Sequence, residues 1–424
     1  MNSTALLTDH YELTMLTAAL RDSSARRTCV FEAFARRLPE GRRYGVVAGA
    51  ARLLDAIGSF RFDPAELEFL AGHGVIDAAA RDFLAEYRFG GDVDGYPEGE
   101  LYFPGSPVLT VQATFAEAVV LETLVLSVLN HDCAIASAAA RMVTAAGDRP
   151  LIEMGSRRTH EEAAVAAARA AYLAGFAGTS NLAAGRRFGV PTMGTAAHAF
   201  TLLHGSESDA FRAQVDALGV GTTLLVDTYD ISQGIRTAIE VAGPGLGAVR
   251  IDSGDLAVLA VQARELLDSL GATGTRIILS GDLDEYAIAS LAAAPVDAYG
   301  AGTAVVTGSG APTAGMVYKL VEVDGRPVAK RSEQKATHGG RKTAVRRHKP
   351  TGTAVEEVLA HGAPPAPSPG DRTLQVPLLR GGKRVELPAL EESRKHLRAA
   401  LVSIPWEGLK LSRGEPAIPT TYLP

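Results

Sequence analysis

Residues 248–306 read AVRIDSGDLAVLAVQARELLDSLGATGTRIILSGDLDEYAIASLAAAPVDAYGAGTAVV, and this stretch decides the fold. Three short apolar runs, AVRI (248–251), RIILS (276–280) and VDAYG (296–300), alternate with helical patterns over 256–270 and 284–293. A strand that is apolar throughout is one buried on both faces, which is the habit of parallel sheets covered by helices. Working backwards, the same rhythm holds in TLLVDTYD (223–230), VPTMG (190–194), LAGF (173–176) and PLIEMG (150–155), with helical stretches at 232–241 and 161–173. Seven such units in about 150 residues predict an α/β fold, most simply an irregular (β/α) TIM-like barrel. An open doubly wound sheet is the alternative, because local pattern does not show closure.

The flanks read differently. Asp9 is placed to cap a helix through Leu20, 28–34 reads as a strand, and 97–112 (PEGELYFPGSPVLTVQ) has short β-rich runs broken by Gly and Pro. Residues 116–146 form a long helical pattern rich in Ala and Leu. Beyond Lys319 the alternation stops: 321–347 suggests short antiparallel strands, GAPPAPSPG (362–370) a loop, and 387–402 a helix. The expected division is a smaller, β-rich α+β N-terminal domain at 1–115, the barrel at 116–320, and C-terminal strands and tail at 321–424 that pack back on the rest.

Bulk properties narrow the function. The 42 basic and 48 acidic residues leave a net charge of −6, which speaks against nucleic acid and membrane surfaces as partners. Two cysteines, Cys29 and Cys133, cannot build a zinc cluster or a disulfide framework. Asp9, His10 and Glu12 interrupt the place of a signal peptide, and Glu117 and Glu122 break the apolar run at 116–129, so the expected location is cytoplasmic.

Ligands in parallel β/α folds bind at the carboxyl ends of strands. The candidates there are Arg157 and Arg158; Thr179, Ser180 and Asn181; Thr195 and His198; Asp227 and Tyr229; Arg250, Asp252, Ser253 and Asp255; Ser280 and Asp282; Gly302 and Thr303. Helix capping accounts for Asp255 and Asp284. It does not account for paired arginines after one strand, an arginine within another, or the glycine-rich end GAGT (300–303). Together these favour a site for phosphate and carboxylate groups. His198, on pattern alone, is an ordinary polar residue near a strand end.

In order along the chain, TDHYELTM (8–15), FEAFARRLP (31–39), FPGSPVLTV, AVVLETLVLSVLNHDCAIASAAAR (118–141), EMGSRRTH (153–160), GFAGTSNLAAGRRFGVPTMGTAAHAF (175–200), VDTYD, RIDSGDL, YGAGTAVVTGSGAPTAGMVYKL (299–320) and a K-x-S-type strand near RSEQKAT (331–337) resemble the nicotinate phosphoribosyltransferases, over roughly nine tenths of the chain. The resemblance implies a barrel joined to a β-rich domain, in a homodimer with active sites at the interface. It implies nicotinate and phosphoribosyl pyrophosphate (PRPP) as substrates, ATP as co-substrate and Mg2+ as cofactor, with the metal ligands unassigned. Residue by residue, Tyr11 would stack on the pyridine ring, and Thr195 and Arg250 would hold its carboxylate. Arg157 would meet phosphate, Asp252 ribose hydroxyls or magnesium, and Gly302 and Thr303 the 5′-phosphate. His198 would be the phosphorylated residue. Neutral Ser180, where the nicotinamide-using relatives carry an aspartate, points to the acid-using branch. Ala199 departs from the Ser or Glu the family often has there, which bears on ATP coupling. The remaining alternatives are a nicotinamide or quinolinate phosphoribosyltransferase and a non-catalytic relative that binds phosphometabolites.

Overall fold

The computed structural model describes residues 3–330 and 338–423, and they form two compact units, 138–310 and 3–137 with 311–423. The segment RSEQKAT (331–337), expected to contain a strand, lies outside the described residues.

The unit 138–310 is built on six parallel strands: β1 (Leu151–Glu153), β2 (Gly178–Thr179), β3 (Thr223–Leu225), β4 (Ala248–Ile251), β5 (Arg276–Gly281) and β6 (Ala298–Ala301). Their order across the sheet is β2-β1-β6-β5-β4-β3. Every strand neighbours its sequence successor except β2 and β3, and the first strand pairs with the last. A doubly wound sheet reverses direction at a switch point. This cyclic order is that of a sheet winding one way, a curled parallel sheet of the barrel type. At the β2 edge Thr192 adds a single parallel bridge to Thr179.

Two of the seven expected strands differ. Residues 173 and 174 of LAGF end the helix Glu161–Ala174, whose chain turns at Gly175 (φ +122), so β2 begins only at Gly178. VPTMG contributes the Thr192 bridge and no strand, since Pro191 has no N–H to give a ladder. The polar residues after strands cap helices as expected. Asn181, Asp230, Asp255 and Asp284 each accept a hydrogen bond from a first-turn N–H.

The other unit combines both ends of the chain. Its seven-stranded sheet centres on Thr28–Ala35, paired antiparallel with Leu109–Thr114 on one side and Met316–Val323 on the other. Phe31 stacks on Tyr318 across that second pairing, ring centroids 4.9 Å apart. A second sheet joins Lys342–His348, Ala354–His361, Arg372–Thr373 and Thr420–Leu423. The compact units therefore divide at 137/138 and 310/311, away from the expected 115/116 and 320/321, because strand pairing draws 316–423 onto the N-terminal segment. Asp9 precedes the helix His10–Arg21 but its side chain makes no cap hydrogen bond. The stretch Phe115–Ala146 is long and apolar enough to cross a membrane, and two-thirds of that apolar window is buried in the protein.

A charge network lies in the core of this unit. The fully buried Arg346 guanidinium donates to Glu100 and to Glu357 Oε2 (2.6 Å), and Tyr96 Oη donates to Glu357 Oε1 (2.7 Å). His396 Nε2 and Arg372 Nη1 reach Glu100 Oε2 at 2.8 and 3.0 Å. Burial opposes the charge on Glu100, but Arg346, His396 and Arg372 outweigh it and hold the carboxyl well below the usual range. A depressed carboxyl contributes stability above its unfolded pKa, near 4.5, and loses it as pH falls from there towards the folded value. Arg346→Met is expected to take the cation from the buried Glu357 and the nearest of three from the buried Glu100, and to cost about 3–5 kcal/mol. Urea midpoints at pH 7 and pH 4 check this: the variant should sit lower at pH 7, with a smaller loss on acidification. Equal midpoints at pH 7 would refute the role.

Candidate active site

The site is assembled at the carboxyl ends of β1 and β4 to β6. Arg250, the third residue of β4, is held on three sides. Its Nη1 donates to Thr195 Oγ1 (2.5 Å), Nε to Ser280 Oγ (3.0 Å), and Nη2 approaches Asp252 Oδ1 at 3.3 Å. Ser280, the fifth residue of β5, donates its hydroxyl to the same Asp252 oxygen. The guanidinium side chain is 11% exposed, so it is fixed by its neighbours and still reaches open space.

That space is a cavity of about 220 Å³. Arg157, Arg158, Arg250, Asp252, Asp282, Gly300, Gly302 and Thr303 are among the residues that line it. Three guanidiniums against two carboxylates give it a cationic balance. Arg157 and Arg158 are exposed and their side chains make no hydrogen bond or ion pair among the described residues, so both guanidiniums are free to meet an anion. The glycines serve close approach. A Cβ on Gly155 would lie 2.2 Å from Val306 Cγ1 and 2.9 Å from the Gly302 carbonyl oxygen, and one on Gly300 would lie 2.8 Å from Met154 Sδ.

His198 begins the helix His198–Leu203. It does not line the cavity, but it is tied to the same strand ends. Its Nδ1 is 3.1 Å from Thr228 Oγ1, and its Nε2 is 3.9 Å from Asp227 Oδ1, a buried oxygen with no hydrogen-bond partner among the described residues. The other Asp227 oxygen accepts from the Asp252 backbone N–H (2.9 Å) and from Ser253 Oγ (2.8 Å). Asp227 therefore links the histidine to the Arg250–Asp252 strand end.

Thr195, Arg157, Arg250, Asp252, Gly302 and Thr303 are thus brought together, with His198 at one remove. Ser180 follows β2 with its side chain exposed, and its backbone N–H donates to the Glu153 carbonyl (2.8 Å). Tyr11 belongs to the other unit, 46% exposed on the helix His10–Arg21, with its phenol pushed up to about 12 by partial burial and by Glu122, Glu12 and Asp9. Glu153 is a feature that sequence reasoning passed over. It ends an apolar strand, where a carboxylate has no water, and such a group needs hydrogen bonds from nearby.

Residues 6–130 match the nicotinate phosphoribosyltransferase (NAPRTase) N-terminal domain family, and residues 135–309 the quinolinate phosphoribosyl transferase C-terminal domain family. A Mycobacterium tuberculosis (strain ATCC 25618 / H37Rv) protein named nicotinate phosphoribosyltransferase pncB1 is 64% identical, over 99% of this chain and 95% of its own. The chain belongs to the nicotinate phosphoribosyltransferase family. The crystal structure of human nicotinic acid phosphoribosyltransferase aligns with this family member over 98% of the chain and 97% of its own, at 27% identity and a TM-score of 0.85. That of a nicotinate-nucleotide pyrophosphorylase from Pyrococcus furiosus aligns over 93% and 94%, at 25% identity and a TM-score of 0.78.

Gly155→Ala is expected to push the β1 loop of this phosphoribosyltransferase relative away from Val306 and Gly302. Overpacking of that kind costs about 1–3 kcal/mol. A wild-type urea midpoint would show that the loop has room to spare.

Proposed function

We propose that the protein joins nicotinate to the ribose of PRPP, releasing pyrophosphate and forming nicotinate mononucleotide. The observation that carries this reading is the fixed Arg250 guanidinium, bonded to Thr195 and opening into a cavity with Arg157, Arg158 and Gly302. A planar cation held on a strand suits the carboxylate of a flat acid. The free arginines and the glycine-rich end of β6 suit the phosphates beside it.

In the reaction the pyridine nitrogen gives its electron pair to the anomeric carbon while the bond from that carbon to pyrophosphate breaks. Positive charge develops on the ribose ring, and because the attacking nitrogen carries no hydrogen, no proton has to move. What the protein supplies is position and charge. Arg250 and Thr195 hold the nicotinate carboxylate, and Ser180 leaves its surroundings free of a repelling anion. Arg157 holds phosphate, Gly302 and Thr303 the 5′-phosphate, and Asp252 the ribose hydroxyls. Tyr11 is assigned to the face of the pyridine ring.

No group of three or more His, Cys, Asp or Glu poised for a metal occurs among the described residues. Magnesium fits such a site as an ion carried by substrate phosphates and touched by one or two carboxylates, here Asp252 and Asp282. When bound it would neutralise charge on the leaving pyrophosphate. ATP as co-substrate is part of the proposal, with His198 as the phosphorylated side chain. Asp227 beside its Nε2 supports that assignment, and Ala199 next to it offers no second polar group. The proposed assembly is a cytoplasmic homodimer. Large apolar side chains left exposed at Leu6, Leu7, Leu202 and Leu203 are of the kind an interface covers.

Incubation with nicotinate, PRPP and Mg2+, with and without ATP, following the mononucleotide and ADP together, tests the reading. Product from nicotinate but not from nicotinamide or quinolinate is expected. Arg250→Lys should raise the KM for nicotinate about tenfold to a hundredfold, because a point charge replaces a bidentate fork. His198→Ala should keep a basal rate and lose stimulation by ATP. An unchanged nicotinate KM in Arg250→Lys would remove the basis of the assignment.

A further inference from the structure

Glu153 is fully buried at the end of β1, and among the described residues no cation pairs with it. Desolvation raises its pKa, an opposed state that a merely space-filling residue would not need. Its two oxygens face different segments. Oε1 accepts from the backbone N–H of Gly155, which opens the loop to Arg157 and Arg158, and Oε2 accepts from Thr179 Oγ1 at the end of β2 (2.5 Å).

Thr179 passes the connection on. Its hydroxyl accepts from the Asn181 N–H (2.9 Å), and Asn181 Nδ2 donates to Ser156 Oγ (3.0 Å), closing a circuit back to the arginine loop. Its backbone N–H donates to the Pro191 carbonyl (3.0 Å), and its carbonyl accepts from the Met193 N–H (2.9 Å). Two residues later comes Thr195, the acceptor of Arg250.

We propose that Glu153 is a positioning residue, a hydrogen-bonding clamp behind the cavity. It sets the phosphate-side loop through Gly155, and the acid-side segments carrying Ser180 and Thr195 through Thr179. This rests on the reading of the cavity as the site for PRPP and nicotinate. Glu153 does not touch substrate. It fixes the separation between the groups that do, where a displacement of about 1 Å costs on the order of a hundredfold in rate.

The clamp works through hydrogen bonds and not through charge, which makes the variants informative. In Glu153→Gln the amide oxygen still accepts from Gly155, and the amide N–H₂ donates to the Thr179 hydroxyl, whose own proton turns away. Glu153→Leu keeps the bulk and removes both bonds. Thr179→Val keeps its shape, removes the bond to Glu153 Oε2 and the acceptor for the Asn181 N–H, and leaves the Gly155 bond in place. Kinetics of mononucleotide formation are measured for each, together with the urea midpoint and calorimetric binding of magnesium pyrophosphate.

Glu153→Gln is expected to stay within about twofold of wild type in both KM values. Glu153→Leu should raise the KM for PRPP and for nicotinate about tenfold or more and weaken pyrophosphate binding in step. Thr179→Val should raise the KM for nicotinate more than that for PRPP. A purely structural role would lower the urea midpoint and leave the KM values of the folded fraction alone. That result, an unchanged Thr179→Val, or a Glu153→Gln as impaired as Glu153→Leu, overturns the inference. Thr179→Val decides if Glu153→Leu does not fold. Should the wild type make no mononucleotide, the functional reading fails by itself, and pyrophosphate affinity still reports on the clamp.

Discussion

The unit 138–310 depends on holding one guanidinium still. Arg250 sits on a strand whose other residues are buried, and a cation there is tolerable only if its donors are met. Thr195, Ser280 and Asp252 meet them from three different strand ends or loops. That requirement brings the ends of β4 and β5 and the segment after Thr192 to a common point. Asp227 ties in a further strand end through the Asp252 backbone, and with it His198. The polar arrangement and the curled sheet support one another.

The cavity shows why such an arrangement suits anions. Arg250 is already bonded, so its orientation costs little when a ligand arrives. Arg157 and Arg158 are the opposite case, exposed and free to adapt. One fixed cation and two adaptable ones divide the work between recognising a small planar acid and gathering flexible phosphates. The close packing of Gly155 against Val306 keeps the adaptable pair attached to a rigid base.

Much of this was legible in the order of residues. AVRI, RIILS and the end of VDAYG became strands because an apolar run too short for a helix, followed by a capping Asp in the first two cases and by the glycine-rich end GAGT in the third, leaves few other options. Arg250 and Asp252 were visible as charges where only apolar residues belong. LAGF was misleading because its residues are equally suited to the last turn of a helix, and only the Gly175 turn settles which. The one-way winding of the sheet was invisible locally, since it resides in the pairing of β1 with β6, almost 150 residues apart. Glu153 was invisible for a related reason: its side-chain partner Thr179 lies on another strand, and a single Glu after Leu-Ile looks like a strand end entering solvent. The division into units escaped because the pairing of 28–35 with 316–323 is a long-range fact.

The interleaving of the chain has a bearing on synthesis. Residues 138–310 form a continuous segment, so the whole of that unit is made before residues 311–423, which belong to the other one. The sheet centred on Thr28–Ala35 cannot be finished then, because its neighbour Met316–Val323 comes later and Arg346 later still. During translation the N-terminal strand keeps an unpaired edge, and Glu100 awaits its cation. Residues 138–310 are thus complete as a unit before the unit that opens the chain can be.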